Sequence, residues 1–141
     1  MNRDLHNNIE VVEAIAPEAL DDDNTPAAID LQGAEAVELV LHIGVGGITF
    51  TGSNKVEFKL THSDNDSTYD PVDVDDVQGV DSVGTGGIIK SLTSAHAAAS
   101  VSKFGYVGGK RYLKLLADFG GTHGTGTPMS AVVVKGRLHQ A

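Results

Sequence analysis

Three groups of residues in this sequence have types and a spacing that could do chemistry. The first is Asp64-Asn65-Asp66-Ser67-Thr68, where alternate oxygen-bearing side chains could converge on a hard cation such as calcium. The later glycine and bidentate glutamate of a helix-loop-helix calcium site are missing. Asp and Asn also favour tight turns, because their side chains hydrogen-bond to the nearby backbone. The pattern therefore favours a turn over a metal site.

The second group is the glycine-rich run Gly44-Val45-Gly46-Gly47. It lacks the Lys-Ser/Thr ending of a phosphate-binding loop and precedes strand-like residues, so it favours a hairpin or bulge over nucleotide binding. The six histidines form no HExxH motif, no serine stands in a Gly-x-Ser-x-Gly turn, and the chain contains no cysteine. We therefore predict that the protein is not an enzyme and uses no cofactor.

The third group is basic. Lys110, Arg111 and Lys114 follow the turn signal Gly108-Gly109, and two of the three tyrosines lie close by in the sequence. Such a patch could stack on and neutralise nucleic acid, but the strongly acidic remainder of the chain would repel phosphate. We predict instead that these three side chains dock onto an acidic protein surface, with no direct contact to nucleic acid.

The segments that must position these groups have the sequence pattern of β-strands. Seventeen glycines and an aromatic content of 5% in 141 residues are typical of many turns and small side chains. Alternation predicts half-buried strands at 37–43, 55–61 and 129–138, a short strand at 69–74 and another at 88–92. Turn signals recur at intervals of about ten residues, and no long amphipathic helix intervenes. This spacing predicts an all-β sandwich or barrel.

Residues 103–116 gather aromatic and basic side chains around the same turn signal. They predict two adjacent strands that form a hairpin, one ending at Val107 and one starting at Lys110. The residues expected in the core here are Phe104, Leu113, Leu115 and one of the tyrosines.

The charge is unevenly distributed along the chain. Residues 1–81 contain 18 Asp and Glu against three Lys and Arg, whereas residues 82–141 contain one acid against seven bases. The two halves could present opposite charge to different partners, or they could interleave on one surface. No signal peptide and no apolar run of about 20 residues is present, which predicts a soluble protein without membrane contact.

The N-terminal 26 residues differ from the rest. Ile9 to Ala16 could form two helical turns with Ile9, Val12, Ile15 and Ala16 on one face, limited by Pro17. An acidic connection follows. We predict an extended arm over residues 1–26 that contacts a neighbouring subunit, joined to a β-sandwich domain over 27–141. The alternative is a terminus that packs on its own domain.

Four segments of the chain together resemble a family of small structural proteins of tailed-phage and prophage head modules, the capsid decoration or cement proteins. These segments are 28–33, 58–69, 103–113 and 131–139. The resemblance implies a jelly-roll-like antiparallel β-sandwich. The acidic 70–81 passage and the Gly/Thr loop at 120–127 depart from the family pattern, which leaves open the position on the shell.

The resemblance also implies the function. It predicts a protein made in the cytoplasm of a bacterial host that binds the major capsid protein on the exterior of the virion and stabilises the shell. Self-association as a dimer or trimer is expected, because capsid shells offer symmetry axes. Two alternatives stay open: a head–tail connector or tail component, and a carbohydrate- or calcium-dependent binding module on the same scaffold.

Overall fold

The computed structural model describes residues 3–136 and shows ten strands with two short 3₁₀ turns, at His6–Asn8 and Val74–Asp76. The strands are β1 (Ile9–Leu20), β2 (Ile29–Asp30), β3 (Ala36–Ile43), β4 (Lys55–Ser63), β5 (Asp70–Pro71), β6 (Val77–Gln78), β7 (Ile88–Leu92), β8 (Ser100–Tyr106), β9 (Tyr112–Gly120) and β10 (Thr127–Gly136). The last two residues of the predicted final strand and the end of the 131–139 segment lie outside the described part. Within residues 3–136, no helix is long and apolar enough to cross a membrane.

The strands form two antiparallel sheets that pack face to face. Sheet A has the order β1-β10-β3-β8-β6, and sheet B has the order β2-β9-β4-β5, with β7 also paired to β4. Successive long strands therefore alternate between the sheets along most of the chain. The predicted all-β sandwich is confirmed.

The core lies between the two sheets and follows the predicted alternation. Strand β4 buries Val56, Phe58 and Leu60, while its intervening residues are only partly buried. Fully buried side chains from both sheets are Leu41, Ile43, Val56, Phe58, Leu113 and Ala117. Alternate residues reach the same core because side chains on a strand point to opposite faces of the sheet. The same alternation predicts these inward positions, and it is correct for both strands: Val37, Leu39, Leu41 and Ile43 at 37–43, and Val56, Phe58 and Leu60 at 55–61.

The helical turns predicted for Ile9 to Ala16 are wrong. These residues belong to β1, which pairs along its length with β10 and forms the edge of sheet A. A regular strand would show apolar residues with a period of two, and β1 is not regular. Its register shifts between Glu13 and Ile15 and again between Ile15 and Glu18. A bulge inserts a residue and changes which side chains face inward, so the apolar spacing resembles that of a helix.

The segment that follows β1 lies against an edge of sheet B. The Asn24 side-chain oxygen accepts a hydrogen bond from the Ala117 N–H, and its amide donates to the Leu115 carbonyl. The Asp23 carboxylate accepts from the Phe119 N–H. Two side chains thus satisfy backbone groups of β9 that have no strand beside them there. Residues 9–24 of the predicted arm therefore pack against both sheets of their own chain.

The hairpin predicted across 103–116 is also wrong, although both strands exist. β8 pairs with β3 and β6 in sheet A, while β9 pairs with β4 and β2 in sheet B. Residues 107–111 therefore cross from one sheet to the other at the end of the sandwich. The expected core residues Phe104, Leu113 and Leu115 are buried, and Tyr106 is the buried tyrosine.

Candidate protein-interaction surfaces

The crossing between β8 and β9 borders an open cleft of about 380 Å³, which we call the Lys110 cleft. Its walls come from the loop after β2, the start of β3, the end of β8 and the crossing itself. The lining residues are Leu31, Gln32, Ala34, Glu35, Val37, Asp64, Tyr106, Gly109, Lys110 and Arg111. Two of the three predicted basic contact residues therefore lie at this cleft.

Lys110 has acidic neighbours within its own chain. Its ammonium lies 3.6 Å from an Asp64 carboxylate oxygen and 3.9 Å from one of Asp70. Both carboxylates are largely exposed, and the Lys110 side chain keeps 30% of its surface accessible. Ion pairs of this kind are worth little, typically about 0–1 kcal/mol. Little free energy therefore holds the lysine to these two carboxylates.

Arg111 is held more firmly. Its Nε and Nη2 atoms each donate to the Asp30 carboxylate at 2.9 Å, and the guanidinium lies 4.9 Å from the centre of the Tyr112 ring. The hydrogen bond from Arg111, helped by one from the Gln32 N–H, lowers the pKa of Asp30 to about 2. A bidentate pair fixes the plane of the guanidinium, so Arg111 presents a rigid edge to the cleft.

Lys114 lies away from the other two on the outer side of sheet B. Its ammonium sits 4.3 Å from the centre of the Tyr69 ring, a cation–π contact. The Tyr69 hydroxyl donates to Asp66. Desolvation by burial is the largest cause that raises the pKa of Tyr69 above its usual range, and the hydrogen bond to Asp66 is the second. The structure thus brings Lys110 and Arg111 together and leaves Lys114 outside the cleft.

A buried polar pair supports the floor of the cleft. His62 Nδ1 lies 2.7 Å from the Tyr106 hydroxyl oxygen, which accepts a hydrogen bond from the Lys110 N–H. On the other side of the ring, His62 Nε2 lies 4.0 Å from an Asp76 carboxylate oxygen. Burial is the main cause that raises the pKa of Tyr106. The sequence indicates His62 only through its nearness to two aspartates, whereas its actual partners are 14 and 44 residues away.

The charges of the two halves of the chain interleave. Ion pairs join Lys110 to Asp64 and Asp70, Arg111 to Asp30, Lys135 to Glu10 and Lys59 to Asp118, and each pair links the first half to the second. Of the two interpretations of the charge distribution, the interleaved surface is the correct one for residues 3–136.

The segment from Asp64 to Thr68 forms the predicted turn. The Asn65 side-chain oxygen accepts hydrogen bonds from the N–H groups of Ser67 and Thr68, and Asp66 adopts a positive φ of 55°. Asn and Asp tolerate such geometry because they can bond locally to the backbone. Residues 3–136 contain no group of three or more His, Cys, Asp or Glu side chains placed to hold a metal ion.

His96 makes the one described histidine contact to a serine hydroxyl. Its Nε2 lies 3.0 Å from Ser100 Oγ and its Nδ1 lies 2.8 Å from the Gly44 carbonyl oxygen. The His96 carbonyl also accepts from the Gly46 N–H. These bonds tie the loop before β8 to the end of β3. The glycine-rich run is accordingly part of a long connection between the sheets, and the predicted hairpin or bulge there is wrong.

The three predicted arm contacts do not share a face. Ile15 is buried in the core, and Val12 packs against the core from the same side of β1. Ile9 pairs with Gly136 and has the outward parity of Val11, which pairs with Val134. The bulges of β1 separate residues that a helix would have aligned.

A second surface lies on the outer face of sheet A, and it was not predicted. Val11 of β1, Val132 and Val134 of β10, Val40 of β3 and Val101 of β8 all point away from the core. Val11 and Val101 are 55% and 65% exposed, and the other three are partly exposed. We call these five side chains the valine face. Their positions span four strands that are distant in sequence, so only the alternation within each strand could have indicated them.

Charged side chains flank the valine face. Across sheet A, Glu13 pairs with Val132, Val132 with Val40, and Val40 with Lys103, so that one row carries an acid at one end and a base at the other. Glu13 and Lys103 are exposed, and neither has an ion-pair partner within residues 3–136. The outward Glu38 of β3, which pairs with Val134, adds a further acid on one side of this row. An apolar centre bordered by charges is the usual anatomy of a protein interface.

No family model matches this sequence, and no curated protein matches it either.

Proposed function

We propose that this protein is a capsid decoration or cement protein that binds the outside of a phage shell through the Lys110 cleft. The observation that carries the proposal is the cleft itself, an open recess at one end of the sandwich where Lys110 pairs with two largely exposed carboxylates. The partner would be the major capsid protein, on the exterior of virions assembled in a bacterial cytoplasm. The role is structural and needs no catalytic group.

The order of the strands supports the jelly-roll form of the sandwich. Sheet A contains β1, β10, β3 and β8 next to one another, and sheet B contains β2, β9, β4 and β7 in contact. Two Greek keys folded over each other produce this alternation between sheets, and viral capsid and lectin domains use it. The fold is compatible with a virion protein and with a binding module, so the surfaces must decide between them.

The chemistry of the cleft favours an acidic protein partner. Lys110 can release Asp64 and Asp70, which are both largely exposed, and pair with a carboxylate of the shell at little net cost. Arg111 keeps Asp30 and offers its remaining N–H groups in a fixed plane. Asp64 and Asp70 would repel DNA or RNA more strongly than a single carboxylate of a protein, because a nucleic acid carries a negative charge at every nucleotide.

The mechanism of stabilisation is additive. Each copy would bury a modest interface across a junction between capsid subunits, and many copies on one lattice would raise the barrier to subunit separation. An all-β scaffold with a densely buried core suits this role, because it transmits load without rearranging.

Cryo-electron microscopy of purified particles tests the proposal. We expect density for this chain on the outer surface of the shell, in hundreds of copies. A ring of about six or twelve copies at a vertex would indicate a connector instead, and density inside the shell or none at all would contradict the proposal. Binding to a glycan array without binding to shells would favour a carbohydrate-binding module.

A matched pair of variants tests the cleft. Lys110→Glu should weaken binding to shells that lack the protein by about tenfold or more, because it places a like charge against an acidic surface. Lys90→Glu makes the same charge change on β7, outside the cleft, and should leave binding unchanged. Co-sedimentation with shells measures both. Equal effects of the two variants would show that binding follows net charge and not the cleft.

A further inference from the structure

We infer that two copies of this chain pack through the outer faces of their A sheets, around a twofold axis that runs parallel to the strands. The valine face supplies the apolar centre of this interface. The inference stands on sheet A alone and goes beyond the proposed function, since it concerns the purified chain without a capsid.

The free edge of sheet A is a poorer place for a second copy. β1 is the terminal strand, so its outer edge could add a strand from a partner. However, β1 has two register shifts and contains Pro17, which both interrupt a hydrogen-bond ladder. It also carries three glutamates and no lysine or arginine. Antiparallel pairing of two β1 strands would bring these like charges together, which disfavours edge-to-edge association.

The row of Glu13, Val132, Val40 and Lys103 is complementary to itself in one orientation. A twofold axis along the strands places β1 of one copy over β8 of the other, and β10 over β3. In the row defined above, Glu13 then faces Lys103 of the second copy, and Val132 faces Val40. Because the operation is symmetric, each interface contains two such ion pairs and two such valine contacts.

The other in-plane axis fails on charge. A twofold axis perpendicular to the strands, centred on this row, would place Glu13 over Glu13 of the second copy and Lys103 over Lys103 of the second copy. Like charges that face each other across an interface cost binding energy, so this orientation is disfavoured. Glu13 and Lys103 stand at opposite ends of the row, separated by three strand spacings of about 4.8 Å each. Their charges therefore determine the orientation of the dimer.

The next row adds shape complementarity. At the level of the second bulge, a groove of about 360 Å³ is lined by Pro17, Glu18, Ala19, His42, Gly44, Pro128, Met129 and Ser130. Val101 of the same chain lies on this outer face, where it pairs with His42. It belongs to β8, three strands away from β1, and its side chain is 65% exposed. The proposed axis brings Val101 of one copy over the Pro17 side of the groove in the other. The most exposed of the five valines thus meets a recess.

The arrangement has a consequence for binding that rests on the proposed function. The Lys110 cleft lies at the end of the sandwich where Val37 pairs with Tyr106, opposite the end that holds the groove. An axis parallel to the strands leaves both clefts of the dimer at the same end. A dimer would therefore present two equivalent clefts to one surface, and the second contact would gain from the effective concentration set by the first.

Light scattering and analytical ultracentrifugation of the purified full-length chain test the inference. We expect a mass of twice 14.7 kDa that falls to that of one chain on dilution. Glu13→Lys and Lys103→Glu should each raise the dissociation constant by about tenfold or more, because each replaces two attractive contacts with two repulsive ones. A mixture of the two variants should restore the dimer. In the mixed dimer the two substituted side chains face each other with opposite charges, and the two unaltered side chains do the same.

A second pair of variants separates the face from general surface effects. Val101→Lys should weaken the dimer, whereas Val107→Lys, at a valine of similar exposure in the β8–β9 crossing, should not. A single-chain mass at every concentration, a trimer, or a dimer that persists in both charge variants would overturn the inference. None of these outcomes bears on the docking of the Lys110 cleft, because shells are absent from the measurement.

Discussion

The outer faces of the two sheets differ although their inner faces are alike. On sheet A the outward side carries five valines, with Val132 beside Val40, while Val134 stands beside Glu38. On sheet B several outward residues are charged and paired: Lys59 donates to Asp118 at 2.7 Å, and Lys55 lies 3.5 Å from Glu57. An antiparallel sheet can face water on one side, and sheet B does so with paired charges.

This difference is why we propose the outer face of sheet A as the one that a second copy covers. Ion pairs on sheet B satisfy each other and would lose solvation if covered, whereas the valines of sheet A gain from being covered. The charges of Glu13 and Lys103, which have no ion-pair partner within residues 3–136, border the apolar face and can specify orientation. Burial of the core requires only the inner faces, so the outer faces are free to carry different functions.

The largest expected effect separates the inner and outer sides of sheet A. Ile15→Ala should lower the free energy of unfolding by about 3 kcal/mol, because it removes buried methyl groups and leaves a cavity. Val11→Ala, on the outward side of the same strand, should cost less than about 1 kcal/mol. Urea unfolding followed by circular dichroism measures both, in a Glu13→Lys background chosen to weaken the proposed dimer. Equal losses would mean that the outer side of β1 is packed as tightly as the inner side.

A smaller effect concerns the ion pairs of sheet B. Lys59→Met should lower the free energy of unfolding by about 0.5 kcal/mol at low salt, and the difference should shrink as salt rises. The hydrogen bond to Asp118 raises the pKa of Lys59, so the contribution is present below the usual lysine range and is lost as the pH rises through the folded value. Val132→Thr on sheet A serves as the control, and its effect should not depend on salt. A salt-independent loss in Lys59→Met would contradict the contrast between the faces.

The smallest expected effect lies at the edge of sheet B, in the Asp30–Arg111 pair. The pKa of Asp30 falls from 3.8 to about 2 in the folded chain, so its stabilisation is present above the ordinary pKa and is lost as the pH falls through about 2. As the pH falls from 3.8 to about 2, the thermal midpoint of Arg111→Met should therefore decrease less than that of the unaltered protein. Lys90→Met is the matched control. If the thermal midpoints of all three proteins depended on pH in the same way, the proposed contribution of the Asp30–Arg111 pair would be contradicted.

Much of the fold follows from local alternation. The strands at 37–43, 55–61 and 88–92, and the inward side chains of the first two, correspond to β3, β4 and β7 in the structure. These predictions succeed because neighbouring side chains on a strand point to opposite faces, and that rule involves no partner. The turn at Asp64 to Thr68 is equally local, since its hydrogen bonds join residues two or three positions apart.

The predictions that failed needed distant residues. Ile9 to Ala16 reads as a helix until β10 pairs with it and introduces the bulges. Residues 103–116 read as a hairpin until β3 and β4 separate its two strands into different sheets. The turn at Gly108-Gly109 could equally connect two paired strands or two strands in different sheets. Nothing in the local sequence therefore distinguishes a hairpin from a crossing.

The chain therefore carries its strand pattern, its inward residues and its tight turns in short stretches of sequence, because each depends on backbone geometry over a few residues. The pairing of the strands, the acidic partners of Lys110 and Arg111, and the assembly of the valine face from four strands are decided in three dimensions. Hydrogen bonds between strands and contacts between charges form wherever the packed sheets bring groups together, and sequence distance does not limit them.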